Sequence, residues 1–228
     1  MQDKTLKVAV LRFPGTNCEF DTQYAFEKLG HSTELVWHED EVLPENIDLV
    51  VVPGGFSYGD YLRSGSIARF SPVMKAVSHY ANEGGKVLGI CNGFQILTEA
   101  GLLPGALKRN NNLHFISKHQ NLAVVNNDNA FLNKCEKGEV LNIPIAHADG
   151  NYYIDDEGLE KLEKNGQILL RYSDAHGEPV VVNGSVTSIA GVCNENKNVF
   201  GLMPHPERAL EEILGSEDGI RMLKGFDL

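Results

Sequence analysis

The sequence predicts an α/β fold: a mostly parallel sheet flanked by helices, with a smaller antiparallel sheet appended. Three observations carry this. Short runs rich in Val, Leu and Ile alternate with helix-patterned stretches from residue 6 to residue 101. The early strands run into loops built on Pro and Gly, as strands do at the ligand-binding edge of a parallel sheet. From residue 113 to about 186 the alternation gives way to short β-patterned pieces separated by polar turns.

Taken in order, residues 6–11 (Leu-Lys-Val-Ala-Val-Leu) make the opening strand. The loop from Arg12 to Asn17 leads into a helix over 19–29, which Gly30 ends because glycine accepts the left-handed conformation of a helix stop. Residues 33–37 and 47–52 are the second and third strands, the third stopped by Pro53, Gly54 and Gly55. A helix over 71–84 follows. The apolar run from Lys86 breaks at Gly89-Ile90-Cys91-Asn92-Gly93 and resumes with helical spacing to about Gly101. Pieces 121–125, 141–145 and 167–172 carry the antiparallel part. Residues 199–203 add a strand that runs into Pro204-His205-Pro206-Glu207-Arg208, and a short helix over 219–224 closes the chain. There are no repeats, and 228 residues are expected to form one domain, 1–228.

Composition excludes several classes. Twenty basic against 31 acidic residues give a net charge of −11 with no basic tract, which argues against nucleic acid or an anionic membrane as main partner. No apolar run approaches a membrane span, and residues 1–5 lead into a strand without a signal-peptide core, so a cytoplasmic protein is expected. Cys18, Cys91, Cys135 and Cys193 have no C-x-x-C spacing, and His114, His119 and His147 have no ligand spacing, so no disulfide framework or metal site is expected. Gly84-Gly85-Lys86 lacks the spaced glycine and the hydroxyl residue of a phosphate loop. No cofactor is expected in this chain.

The chemistry centres on the break at Cys91. Strand, sharp turn and helix with glycine two before and two after the tip make a nucleophile elbow, where small residues let the two backbones pass closely. The positive end of the following helix favours thiolate over thiol. Among eight histidines, His205 follows a strand end as Cys91 does, and Pro206 biases it toward an extended conformation, which sets Glu207 beside the ring. Cysteine, histidine and carboxylate make a triad. Pro53-Gly54-Gly55 at the end of the third strand can present side-chain-free N–H groups to an oxyanion, and the N–H of Asn92, next after the nucleophile, is the other natural donor. Each piece has a plainer reading: a packing cysteine, a rigid Pro-His-Pro-Glu turn, a glycine pair in any tight loop. The residues alone leave open a stand-alone thiol hydrolase or peptidase, and a non-catalytic binding module.

Gly-Ile-Cys-Asn-Gly-Phe-Gln over 89–95 with Met-Pro-His-Pro-Glu over 203–207 resembles the class I (triad) glutamine amidotransferases, whose main sheet is flavodoxin-like. The stretches 13–18, 53–63, 144–147 and 150–152 are similar to the branch of that family whose members are separate glutaminase subunits in purine synthesis. The resemblance implies that Cys91 attacks the side-chain amide of glutamine, that Gly55 and Asn92 hold the oxyanion, and that His205, oriented by Glu207, moves the protons. It also implies that Gly54 and Gln95 contact the bound glutamine. Ammonia would pass to a large synthetase subunit, with or without a third small subunit, and ATP and magnesium would bind on that synthetase. Ala148 and Asp149 stand where some relatives carry glycine and glutamate.

Overall fold

Buried β-branched runs form the strands of this computed structural model, and the stretches between them form the helices that cover the sheet. Residues 5–227 are described; Met1 to Lys4, on which the reading of a leaderless start rests, lie outside, as does Leu228. The strands are β1 (Lys7–Arg12), β2 (Ser32–Trp37), β3 (Leu49–Val52), β4 (Lys86–Ile90), β5 (Ala106–Lys108), β6 (Ile116–Val124), β7 (Val140–His147), β8 (Asn151–Tyr153), β9 (Ile168–Ser173), β10 (Ile189–Cys193) and β11 (Val199–Leu202). The helices are α1 (Glu19–Lys28), α2 (Pro72–Asn82), α3 (Asn92–Glu99), α4 (Asp156–Lys164) and α5 (Asp218–Leu223).

Nine strands form one sheet in the order β2-β1-β3-β4-β11-β10-β9-β6-β7, and β5 pairs with β8 in a separate two-stranded antiparallel sheet. The first five run parallel. From β11 onward every pairing is antiparallel, so the β-patterned pieces beyond residue 113 continue the main sheet. β3 is buried at all four positions, as a strand covered on both faces must be. In α2, Val73, Met74, Val77 and Ala81 make the apolar stripe that packs on the sheet. Phe94 of α3 stacks on Tyr152 of β8 at 5.8 Å between ring centres, which ties the small sheet to the elbow helix.

Two expectations needed enlarging. α4 lies where only polar turns were read, because the segment is strongly polar overall and Leu162 is its single buried residue. Asp155 caps it, accepting from the N–H of Gly158 at 2.8 Å. β10 was not foreseen either; Gly191 interrupts its run, and a side chain there would meet the carbonyl of Gly201 at 3.0 Å. Among the described residues no helix is long and apolar enough to cross a membrane. Because β1, β3, β4 and β11 point the same way, the segments that follow them converge on one sheet edge; Gly54, Gly55, Cys91, His205 and Glu207 lie in those segments, and Asn92 and Gln95 in the first turns of α3.

Candidate active site

Cys91 sits between β4 and α3 with φ 51° and ψ −107°, a conformation that L-residues rarely adopt. Its N–H donates to the carbonyl of Leu202 at 2.8 Å, which anchors the bend to β11. The flanking glycines are steric necessities. A Cβ on Gly93 would lie 1.8 Å from the carbonyl oxygen of Val52, and one on Gly89 would lie 2.8 Å from that of Gly93. The elbow therefore presses against β3 as well as against its own helix.

His205 is brought to the sulfur from the end of β11, the strand beside β4. Its N–H donates to the carbonyl of Pro144 at 2.8 Å, and Nδ1 lies 2.6 Å from Oε1 of Glu207. Both side chains are almost wholly buried. Burial works against charge on this ring, but the carboxylate of Glu207 and the sulfurs of Cys91 and Cys18 outweigh it and hold the imidazole pKa well above its ordinary value. With Nδ1 taken by Glu207, Nε2 has no hydrogen-bond partner among the described residues and is left for chemistry.

Gly54 is where these groups meet. A Cβ there would lie 2.9 Å from Cε1 of His205, 3.1 Å from Sγ of Cys18 and 3.4 Å from Cβ of Cys91. Gly55, at φ +139°, leaves no room for a side chain either, since a Cβ would meet the backbone nitrogen of Asn17 at 2.6 Å. Among the described residues neither the N–H of Gly55 nor that of Asn92 donates to a protein acceptor, so both are free for an oxyanion. Gln95 is buried; its Oε1 accepts from Nδ2 of Asn92 and its Nε2 donates to the carbonyl of Asp149, both at 2.8 Å.

Two small cavities flank the sulfur. One, of about 110 Å³, is lined by Cys18, Gly55, Cys91, His205 and Arg208 among others. The second, of about 30 Å³, is lined by Asp60, Ser64, Cys91, Gln95, His147 and Asp149 among others. Phe56 and Phe115 border both and are about half exposed, so they form the mouth.

Several of these residues lie in stretches singled out from the sequence but are given no role there. Cys18 lies beside the His205 ring, with Nη2 of Arg208 donating to its sulfur at 3.1 Å, and burial pushes its thiol pKa up against the lowering influence of the nearby imidazole. Burial and the charge of Asp149 raise Asp60 to about 6. Burial and the charge of His205 lower His147 to about 4. His119, weighed earlier beside His147 as a metal ligand, instead bonds Asn142 and the carbonyl of Leu214. Ligand atoms of Cys18, His205 and Glu207 do lie within 4.8 Å of one another, but the 2.6 Å bond between the last two already orients the ring for proton transfer. All four cysteines are free.

A cysteine on a strained elbow, a charged imidazole and two free N–H groups are the equipment of acyl transfer, and the family comparison agrees. Residues 5–218 match the model of the CobB/CobQ-like glutamine amidotransferase domain. The chain belongs to this glutamine amidotransferase family. It is 66% identical to the phosphoribosylformylglycinamidine synthase subunit PurQ of Sulfurimonas denitrificans over 97% of this chain and 99% of that protein. It is 60% identical to the PurQ subunit of Campylobacter jejuni, over 97% and 96%. Among solved structures, a chain of PurLQS from Thermotoga maritima matches with a TM-score of 0.87 and 44% identity, covering 98% of each chain. A putative GMP synthase subunit from Thermoplasma acidophilum, at 16% identity and a TM-score of 0.63, shares the amidotransferase fold.

Proposed function

We propose that the chain is the glutaminase subunit of a phosphoribosylformylglycinamidine synthase. It hydrolyses glutamine to glutamate and ammonia through a cysteinyl thioester. The ammonia passes to a large synthetase subunit, which converts formylglycinamide ribonucleotide to formylglycinamidine ribonucleotide with ATP in purine biosynthesis. The assembly takes this chain and the synthetase, with or without a third small subunit; the solved PurLQS of Thermotoga maritima, whose chain this one resembles, supports a multi-subunit assembly. ATP and magnesium are assigned to the synthetase, the setting to the cytoplasm, and residues 1–228 to a single amidotransferase domain.

The observation that carries the chemistry is the meeting of Cys91, Cys18 and His205 around Gly54, with Glu207 bound to the far side of the ring. In the proposed cycle the sulfur of Cys91 attacks the side-chain amide carbon of glutamine, and the new oxyanion takes the N–H groups of Gly55 and Asn92. The C–N bond breaks as His205 gives its proton to the departing nitrogen, which leaves as ammonia. The neutral ring then takes a proton from water, the hydroxide adds to the thioester, and the C–S bond breaks to release glutamate. Glu207 keeps the ring oriented throughout, and Gly54 provides the clearance in which sulfur and imidazole approach.

The assembled synthase separates this cycle from the synthetase reaction. Cys91→Ala is expected to abolish glutamine-dependent synthesis while synthesis from added ammonium salts proceeds. Loss of both, with the complex still assembled, or retention of the glutamine reaction, refutes the assignment.

A further inference from the structure

Tyr58 stands at φ 53° and ψ 29°, a left-handed conformation that a bulky L-residue keeps only where its surroundings impose it. Its N–H donates to the carbonyl of Pro14 at 2.6 Å. Its hydroxyl is hydrogen-bonded to Nδ1 of His38 at 2.8 Å and to Oγ of Ser71 at 2.9 Å. A phenol can donate one such bond while it accepts the other, so both are made together.

The two partners are fixed points of the frame. His38 follows β2; its N–H donates to the carbonyl of Arg12 at 3.0 Å, and its own carbonyl accepts from the N–H of Val73 in α2 at 3.2 Å. Ser71 is buried at the N-cap of α2, where serine ordinarily turns its hydroxyl onto its own helix. Here it makes no capping bond, and the hydroxyl is turned to Tyr58 instead. A left-handed tyrosine and a serine diverted from its helix both depart from what local stability prefers, and they meet in one contact. Departures of this kind gather where geometry serves chemistry.

The backbone that leads to Tyr58 carries one oxyanion donor and touches the other. The N–H of Phe56, next after Gly55, donates to the carbonyl of Gly15 at 3.0 Å, and that of Ser57 donates to Oδ1 of Asn92 at 3.0 Å. We propose that Tyr58 is a positioning residue: anchored on His38 and Ser71, it keeps the 55–58 backbone in the one arrangement that aims the N–H groups of Gly55 and Asn92 at the developing oxyanion. It acts through these groups and does not itself meet the substrate. This rests on the amidotransferase reading above and adds to it the side chain that holds the oxyanion site ready before substrate arrives. Such donors lose much of their effect when displaced by an ångström, because they act on charge that exists only in the transition state.

The test uses Tyr58→Phe in the assembled synthase, which keeps the ring and removes only the hydroxyl, at a temperature where thermal melts show parent and variant both folded. Glutamate release from L-glutamine is expected to fall about tenfold in kcat with KM changed by less than about twofold, the pattern of an interaction made only in the transition state. Synthesis from added ammonium salts is expected to proceed as in the parent. Ser71→Ala, which removes one of the two anchors, is expected to give a smaller loss of the same kind, and it carries the test should the first variant not assemble. An unchanged kcat, or a loss expressed in KM alone, overturns the inference and leaves Tyr58 a structural residue. A parent enzyme that does not hydrolyse glutamine at all defeats the amidotransferase reading instead.

Discussion

Nδ1 of His205 and Oε1 of Glu207 lie 2.6 Å apart in a pocket from which water is excluded, and the two residues are separated in the chain only by Pro206. The contact does more than orient a ring. It keeps the imidazole charged against the pull of burial, and a charged imidazole is what a departing amide nitrogen needs.

Glu207→Gln removes that support. The folded-state pKa of His205 is raised, so its proton is present at low pH and lost as pH rises through the raised value. The variant is expected to lose glutaminase activity at a lower pH than the parent, and to be slower by on the order of a hundredfold at its optimum. A pH–rate profile of kcat checks this; an unmoved alkaline limb counts against it.

Cys91 is expected to react with a glutamine-like chloroketone far faster than the other thiols. Burial pushes Cys135 and Cys193 to about 11, which leaves about one thiolate in ten thousand at neutral pH. Mass spectrometry of briefly labelled protein reads the site directly. Labelling spread over several cysteines is the contrary result.

Gly93→Ala is expected to cost about 4 kcal/mol or more, because its Cβ would fall 1.8 Å from the backbone oxygen of Val52 and nothing flexible can yield. Gly84 is the control. It has open space around it and a φ of +91°, so its alanine variant pays only for backbone conformation, about 1 kcal/mol. Denaturant titration of the two variants reads the difference.

Asp60→Asn is expected to make the unliganded protein more stable at neutral pH. Asp60 titrates near 6 in the fold instead of 3.8, so between those values the folded state binds more protons than the unfolded one. Stability from this group is therefore full below 3.8 and is lost as pH rises to about 6. Thermal melts across that window should show a fall in the parent that is smaller in the variant. A variant less stable than the parent at pH 7.5 is the contrary outcome.

The parallel half of the fold and the triad were legible because their signals are local. Glycine at 89 and 93 around a cysteine, and Pro206 between His205 and Glu207, are spacings that only a sharp bend and a rigid extended turn require. The second layer of the site was not. Asp60 is half-buried by a loop whose backbone turns left-handed at Tyr58, Gly59, Asp60 and Leu62, and no spacing announces that. His147 comes from an antiparallel strand at the far edge of the sheet order, and Cys18 reaches the ring only because α1 starts at the same sheet edge. α4 and β10 escaped for different reasons: one is strongly polar overall with a single buried leucine, and the other owes its place to neighbouring strands.

The parallel pairing of β4 with β11 sets the two strand ends side by side, about 4.8 Å apart, with Cys91 next after one and His205 three residues after the other. The strand ends themselves cannot shift against each other without breaking that hydrogen-bonded ladder. A docking partner that tunes this site therefore has the left-handed 58–62 segment, outside that ladder and close in sequence to Gly55, to act on.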